Sequence, residues 1–566
     1  MIRCFTRTCV ATAFVAAMPS VGLAQNEADV LRYGWVAPLG SSRTMAMGGA
    51  FGALGADLGS MGINPAGLGL YRRGDLAIAT GLNSANTDAN WNTSAATSAK
   101  FQGTTGNLGV ALTYPSVDAD WPFFTLAVGR QVRMPFNQRI FIEGVPSEST
   151  VSDLFVQQAL DDAAIYGYAS TDEALGGGDI FPYSASLAWR TLLLLPDNDN
   201  LYATAVGGPV EVKRVIERSG RMWETQIGFG TCYRDRLSIG ATLGLPKVEF
   251  EETSTHQETT VSPEDDLRSW DYNERLSVDG QGILLRAGVN WRVTSQLRIG
   301  LAHQTRGRMT LLDNYSTSLS TQWADDSERT ASSPITNNEY LMYTPRRTTV
   351  SASFLMGKLG VLAADYVHTD LREGELGDPG TVLSSGYDYA AENVAVDSSL
   401  QVVREARVGM ELRLGPLKEY RIRMGGGTGN SPFNPNGVAT DGSRHHASFG
   451  AEYRIGDVHF SVAWRRTWHK EDYLFMGAFH PENRGTLDRT SAALMFGAGL
   501  RLWARARPTF RQEKSPPRWA FSQIQLSPFL TSSTWRWPCR EGCSCESIPL
   551  PRVPCPQGCG HCARRR

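Results

Sequence analysis

Fourteen stretches of this chain alternate apolar residues with small or charged ones; their period is two, not 3.6. They lie near 75–82, 105–114, 122–131, 222–231, 236–249, 281–291, 297–305, 346–355, 359–367, 404–413, 419–427, 445–454, 458–466 and 490–502. In the second, Leu108, Val110, Leu112 and Tyr114 alternate with Asn107, Gly109, Ala111 and Thr113. In the tenth, Ala406, Val408, Met410 and Leu412 alternate with Glu405, Arg407, Gly409 and Glu411. Successive strand residues point to opposite faces, so one face is apolar and the other is small or charged. The connections alternate as well. Those after even strands are short (PSVDAD, CYRD, VTSQ, GK, GPLK, IGD), and those after odd strands are long and polar, the largest being 132–221. An even strand number, apolar dyads and short-long connections predict an all-β fold: a 14-stranded antiparallel transmembrane β-barrel over 74–503.

A soluble sheet with its apolar face inward is the competing fold. Aromatics near strand ends (Tyr114, Trp223, Trp291, Tyr366, Tyr453, Trp464) favour the barrel, because they suit the two membrane interfaces. So do the opposite faces, where Glu411 and Arg413 would meet Arg421 and Arg423 of the next strand across a crowded lumen. The lumen faces are also unusually bare: Gly109, Gly228, Gly230, Gly240, Gly288, Gly300, Gly409 and Gly450. A barrel of this size leaves a wide hole unless something fills it. The material at hand is the strand-free, Gly-rich leader 25–73, which ends in SMGINPAGLGLYRRGD and is expected to plug the lumen as an N-terminal hatch.

Residues 1–24 read as a secretory signal peptide, with Arg3 and Arg7, an apolar run from Val10 to Met18, and Gly22 and Ala24 before the cut. No later segment is apolar enough for a transmembrane helix. The net charge of -2 gives no reason to expect nucleic acid as a partner. Apart from Cys232, the mature barrel lacks cysteine, whereas six crowd the basic tail 504–566, which follows an aromatic barrel end at Trp503. Their spacing fits no strong zinc pattern, and the tail is expected to be unstructured or artefactual.

The leader resembles a known family. Met47-Gly48-Gly49-Ala50-Phe51, then Asp57, then Asn64-Pro65-Ala66-Gly67-Leu68 follow the MGGAF…D…NPAGL pattern of the FadL/TodX-type outer-membrane transporters for long-chain fatty acids and other hydrophobic compounds. LLRAGVNWRVTSQLRIGLAHQT resembles a hairpin of the same family. The resemblance implies fourteen strands around a hatch in a Gram-negative outer membrane, a monomer among outer-membrane lipids, no enzyme activity and no cofactor or metal. It implies uptake of a hydrophobic small molecule by loop capture, a pocket beside the hatch, and lateral exit through a gap at a kinked third strand. Asn64, Pro65 and Ala66 match the hatch motif near the ligand. Some FadL-like barrels instead dock partners in secretion systems, and that alternative stays open.

Within this frame the apolar run Leu192, Leu193, Leu194 and Leu195, in the largest loop beside a capped amphipathic stretch (STVSDLFVQQALDDAAI), is a candidate capture site or a self-packed lid. Arg286, Arg298, Arg421 and Arg423 point to the lumen, as partners for a ligand carboxylate or as structural ion pairs. In the third strand only Gly129 and the nearby Pro135 offer a cause of irregularity. GGGTGNSP lacks the Lys-Ser/Thr end of a phosphate loop, and Ser443 with His445 and His446 has no acid in an argued place, so neither carries a site.

Overall fold

The computed structural model describes residues 27–35, 40–91, 94–147, 150–166, 181–197, 201–437, 441–474 and 484–502. The signal-peptide segment 1–24, Trp503 and the tail 504–566 lie outside the described residues.

Fourteen strands, here β1 to β14, close the barrel. They are β1 Gly74–Trp91, β2 Ser94–Pro115, β3 Phe123–Pro135, β4 Val210–Tyr233, β5 Leu237–Thr260, β6 Leu267–Arg292 and β7 Leu297–Gln304. The second half comprises β8 Arg347–Leu355, β9 Gly360–Asp370, β10 Val402–Leu414, β11 Tyr420–Gly429, β12 Arg444–Ile455, β13 Val458–Leu474 and β14 Arg484–Leu502. Each pairs antiparallel with the next, and β14 returns to β1 from Gly74–Leu502 to Asn90–Thr486. Closure pairs the backbone and removes sheet edges. Among the described residues no helix is long and apolar enough to cross a membrane.

The period-two faces fall as the alternation predicts. Leu76, Ile78, Leu108, Leu112, Val128, Phe229, Leu285, Leu301, Val408, Phe449 and Phe496 project outward and stay exposed, forming the apolar belt that lipid would solvate. Tyr114, Trp291, Tyr366, Tyr453 and Trp464 are exposed with them. Trp223 is the exception: it is buried, with Arg130 over its ring at 4.3 Å and Lys247 at 5.3 Å. Three strands run far beyond the belt. The 26 residues of β6 would reach roughly 80 Å, against about 30 Å of hydrocarbon. The extra length of β4, β5 and β6 is polar on its outward face, as in EETSTHQETT, and turns Val212, Ile216, Trp270 and Tyr272 inward, so it lacks the outward apolar residues that mark the membrane portion.

These extensions carry a lid. The segment 132–221 contains the end of β3, a strand Gln138–Ser147 on β4, a helix Ser152–Tyr166, a helix Ala185–Arg190 and a small hairpin of Leu194–Asp197 with Leu201–Thr204. Phe155, Leu187, Leu193, Leu194, Tyr202 and Trp270 pack its core. The buried Glu258 carboxylate accepts from Val151 N at 2.8 Å and Trp270 Nε1 at 3.1 Å, and from the Thr150 hydroxyl, fixing the start of the longer helix.

Residues 41–73 fill the lumen with a short helix, Ser42–Ala46, and two 3-10 turns, Leu58–Gly62 and Pro65–Leu70. The lumen glycines are where hatch and wall meet. A Cβ on Gly228 would lie 2.6 Å from Leu68 Cδ1, on Gly300 2.5 Å from Gly52 O, and on Gly450 2.6 Å from Ala46 Cβ. On Gly288 it would fall on Asn64 Oδ1, and on Gly240 on the Pro65 carbonyl. Because interiors are close-packed, any side chain at these wall positions must displace the hatch. Gly288→Leu is therefore expected to unseat residues 41–73 while leaving the barrel closed. Limited proteolysis should show new cleavage there, with heat-modifiable gel migration retained; a protected hatch would contradict the packing.

Candidate functional site

Irregular backbone survives in a dry lumen only if its polar groups find partners. The wall supplies them. Gln131 Nε2 donates to Leu58 O at 3.0 Å, Ser238 Oγ to Ala66 O at 2.5 Å, and Ser448 Oγ to Ala46 O at 3.0 Å. Asp365 Oδ2 accepts from both Phe51 N and Gly52 N at 2.9 Å. His446 Nε2 donates to Gly48 O at 2.9 Å, so that ring serves the hatch. Ser443 bonds Asp441 and His445 bonds Thr428, so the serine and the histidine are engaged with different partners.

Asn64 is the most connected of these residues. Its Oδ1 accepts from Ala66 N at 3.0 Å, capping the second turn, while its Nδ2 donates to Gly52 O at 2.6 Å and to Val289 O at 3.3 Å. Pro65 starts that turn, and its carbonyl, with Ala66, lies against Gly240. The three motif residues thus latch the hatch to β5, β6 and β7, and they do not line either large cavity described below.

The four candidate arginines separate. Arg286 pairs with Glu224, its Nη2 reaching Oε2 at 2.7 Å. Arg423 reaches Glu411 at 2.9 Å and Glu452 at 2.5 Å, and Arg421 lies 3.5 Å from Glu411. Arg43 of the hatch joins the same Glu411 at 3.0 Å. Arg298 is half-buried near the short-turn end and makes no ion pair among the described residues. Of the leucines, Leu193 and Leu194 are fully buried in the lid core, Leu195 is half-buried and Leu192 is at its edge with a positive φ of 61°.

The ligand-sized space lies elsewhere. A cavity of about 420 Å³, the upper chamber, is enclosed by β1, β13, β14, the end of β3 and a helix Glu27–Gly34 that precedes the hatch. Leu31, Met134, Phe136, Phe250, Leu400 and Phe433 make one side apolar. The other carries Arg32, Arg218, Arg444, Arg465 and Arg489 against Glu27 and Glu471. Arg218 is held by Glu252 at 2.5 Å, and Arg489 by Glu471. Arg444 is different: its guanidinium stacks 3.6 Å over the Trp35 ring, and no carboxylate is within ion-pair reach of it among the described residues. Trp35 is itself fixed by a 3.0 Å bond from Nε1 to Glu405. Strand parity alone places Arg444 and Arg465 inward with His446, Ser448 and Ala463, a signal that sequence reasoning passed over.

Beside this chamber the wall opens. β2 stays paired with β1 as far as Trp91–Ser94, yet its ladder with β3 stops at Asn107–Gln131. β3 then bulges between Val132 and Met134 and ends at Pro135, which has no N–H to donate, whereas Gly129 sits in unbroken ladder. Contact resumes through Asn137 Nδ2 to Lys100 O at 3.2 Å and Ser98 Oγ to Arg139 O at 2.6 Å. Residues 101–106 of β2 face 132–136 across a window without backbone bonds. It lies level with the outward Leu82, which pairs with Gly103, and Phe101 at its edge is 77% exposed. Met134, Pro135 and Phe136 line both window and chamber.

No family model matches the sequence, and no curated protein matches it. Among solved structures, the barrel is similar to the toluene transporter TodX of P. putida, at 12% identity and a TM-score of 0.47, over 83% of this chain and all of that one. A Pseudomonas aeruginosa FadL homologue gives the same identity and score over 82% and 99%. The CymD monoaromatic hydrocarbon channel follows at 12% and 0.44, over 83% and 98%.

Asn64→Ala removes both amide donations and the cap. Leaving the Gly52 carbonyl buried without its partner is expected to cost about 1–3 kcal/mol. A lowered urea midpoint for the refolded barrel in detergent checks this; an unchanged midpoint would contradict the latch.

Proposed function

We propose that the chain is an outer-membrane channel of the FadL type that takes up hydrophobic small molecules in a Gram-negative cell. The observation that carries this is the juxtaposition of a half-apolar chamber with a window opening at belt level. An apolar solute held in the chamber moves sideways through the window into lipid, without crossing water, and burial of its apolar surface drives the transfer. The apolar belt and the closed ladder support residence in a membrane as a single barrel. The exposed Leu192 edge of the lid is a first contact for solute outside.

The chamber's polarity favours long-chain fatty acids among such solutes. Phe136 and Phe250, whose rings pack edge to face 5.2 Å apart, form one apolar wall beside the tail. Arg444 meets the carboxylate, its stacking on Trp35 keeping the guanidinium in place without neutralising it. Asn64, Pro65 and Ala66 act at a distance, by latching the hatch to the opposite wall.

Two variants separate the parts of this mechanism. Arg444→Ala should weaken oleate binding by roughly tenfold or more, the equivalent of one charge-assisted hydrogen bond, and leave a neutral apolar ligand unaffected. Deleting Arg133, which also removes its 3.6 Å pair with Glu224, takes out the bulge of β3 against β4 and should let the β2–β3 ladder continue. Transfer of oleate from chamber to bilayer in proteoliposomes should then fall while binding persists. Wild-type transfer through a closed window would sink the lateral route.

A further inference from the structure

A second large cavity, of about 730 Å³, lies outside the barrel, an open groove in the apolar belt across β8 to β11. The register shows what makes it. One row of ladder partners, Ala352–Ala364–Val408–Gly426–Ala447, crosses β8 to β12 with short outward side chains, Val408 being the largest. The row on its short-turn side, Phe354–Leu362–Met410–Met424–Phe449–Trp464, is bulky at every position. The row on its other side holds Val350, Tyr366 and Trp468. Rows on one face stand about 7 Å apart and neighbouring strands about 4.8 Å, so a trough one residue wide runs roughly 19 Å along the belt.

The next member of the small row, on β13, is a charge. Arg466 points outward and is exposed, between Trp464 and Trp468 of the same strand. Its ladder partners Ala447 and Ala492 are too small to cover it. Its guanidinium lies 5.5 Å from the centre of the Trp468 ring, and no carboxylate is within ion-pair reach of it among the described residues. By contrast Lys470, further along the strand, faces Asp488 across the ladder. His445, whose Nδ1 shares a 2.9 Å hydrogen bond with the Thr428 hydroxyl, is the diagonal neighbour of Arg466. A cation on the lipid side of a barrel is costly at the midplane and tolerated near an interface, where an anion meets it. β13 rises from a short turn to a long connection, so Arg466 lies in the half of the belt nearer the long connections.

We propose that this face is a lipid site: the trough takes one acyl chain of a phosphorylated glycolipid of the outer leaflet, and Arg466, with His445 beside it, meets a headgroup phosphate. Charge and shape both point to that occupant. A guanidinium donates two parallel N–H bonds to a phosphate, and its stacking on Trp468 keeps it at the interface. A lipid without an anionic headgroup fills the trough equally well but leaves the guanidinium unmet. The long connections face outward in such barrels, which puts Arg466 in the leaflet that a Gram-negative outer membrane builds from phosphorylated glycolipid. The inference rests on the barrel sitting in that membrane, as proposed above, and not on what it transports.

The test uses the full-length protein refolded in detergent, incubated with diphosphoryl lipid A and read by native mass spectrometry for lipid retained. Arg466→Ala should weaken retention by roughly tenfold, the loss of one charge-assisted contact, and Arg466→Lys should recover most of it. Ala364→Phe, which fills the trough and leaves the arginine alone, should weaken it as well. Heat-modifiable gel migration checks that each variant is folded. Equal retention in wild type and folded Arg466→Ala would overturn the site. Phosphatidylglycerol retained as tightly as lipid A would also overturn it, leaving an ordinary belt lipid only. If retention follows these variants while wild type transfers no oleate, the uptake reading fails and the lipid site stands.

Discussion

Everything in this molecule follows from the contact between a glycine-lined wall and an irregular hatch. A closed fourteen-stranded sheet satisfies its own backbone but encloses a space that its small inward residues cannot fill. The hatch fills it only because Gly240 and Gly300 admit its main chain and Gly288 and Gly450 admit Asn64 and Ala46, and because Gln131, Ser238, Asp365 and Ser448 satisfy the polar groups so buried. Remove either condition and the plug has nowhere to sit or too many unmet hydrogen bonds to stay.

The functional spaces lie where this contact is relaxed. Toward β5, β6 and β7 the hatch is latched through Asn64 with no room for a ligand. Toward β1, β13 and β14 it meets the wall at Ser42, bonded to Ser461 at 2.6 Å, and at Met45, and a cavity lies on either side of this contact. The wall is relaxed on the same side, since the bulge at Arg133 and the missing N–H of Pro135 end one ladder early. Rigid seating on one flank thus gives the other flank a fixed geometry, which the proposed uptake route requires.

Much of the architecture was legible in the residues. Alternation and connection length give the strand number and order, and the run of inward glycines announces a plug before any contact is known. The capped stretch at 152–166 reads as a helix and forms one. What escaped was non-local. The upper parts of β4, β5 and β6 turn polar residues outward and put Val212, Ile216, Trp270 and Tyr272 inside, the reverse of the membrane portion, and so read as loop. The window is a missing pairing between β2 and β3, which no residue pattern in either strand reports; Pro135 hinted at it, while Gly129 did not contribute. The leucines of 192–195 read as a greasy surface, yet Leu193 and Leu194 are wound into the lid core, since an apolar run buries itself whenever a hairpin and two helices are at hand. Glu411 was legible as the partner of Arg421 and Arg423, because the two strands are neighbours in sequence, whereas Glu224 for Arg286 and Glu452 for Arg423 were not. Arg444 was the reverse case, placed inward by parity but made distinctive only by Trp35, from a helix far away in sequence.

The central claim is that solute sits between Glu27–Gly34 and the β1–β14 wall, next to the window. The most direct test is an experimentally determined structure of the barrel soaked with oleate. The account predicts elongated density lying against Phe136 and Phe250 with its carboxylate end at Arg444. Density confined to the neighbourhood of Asn64, or an upper chamber closed by side chains and free of ligand at saturating oleate, would contradict it.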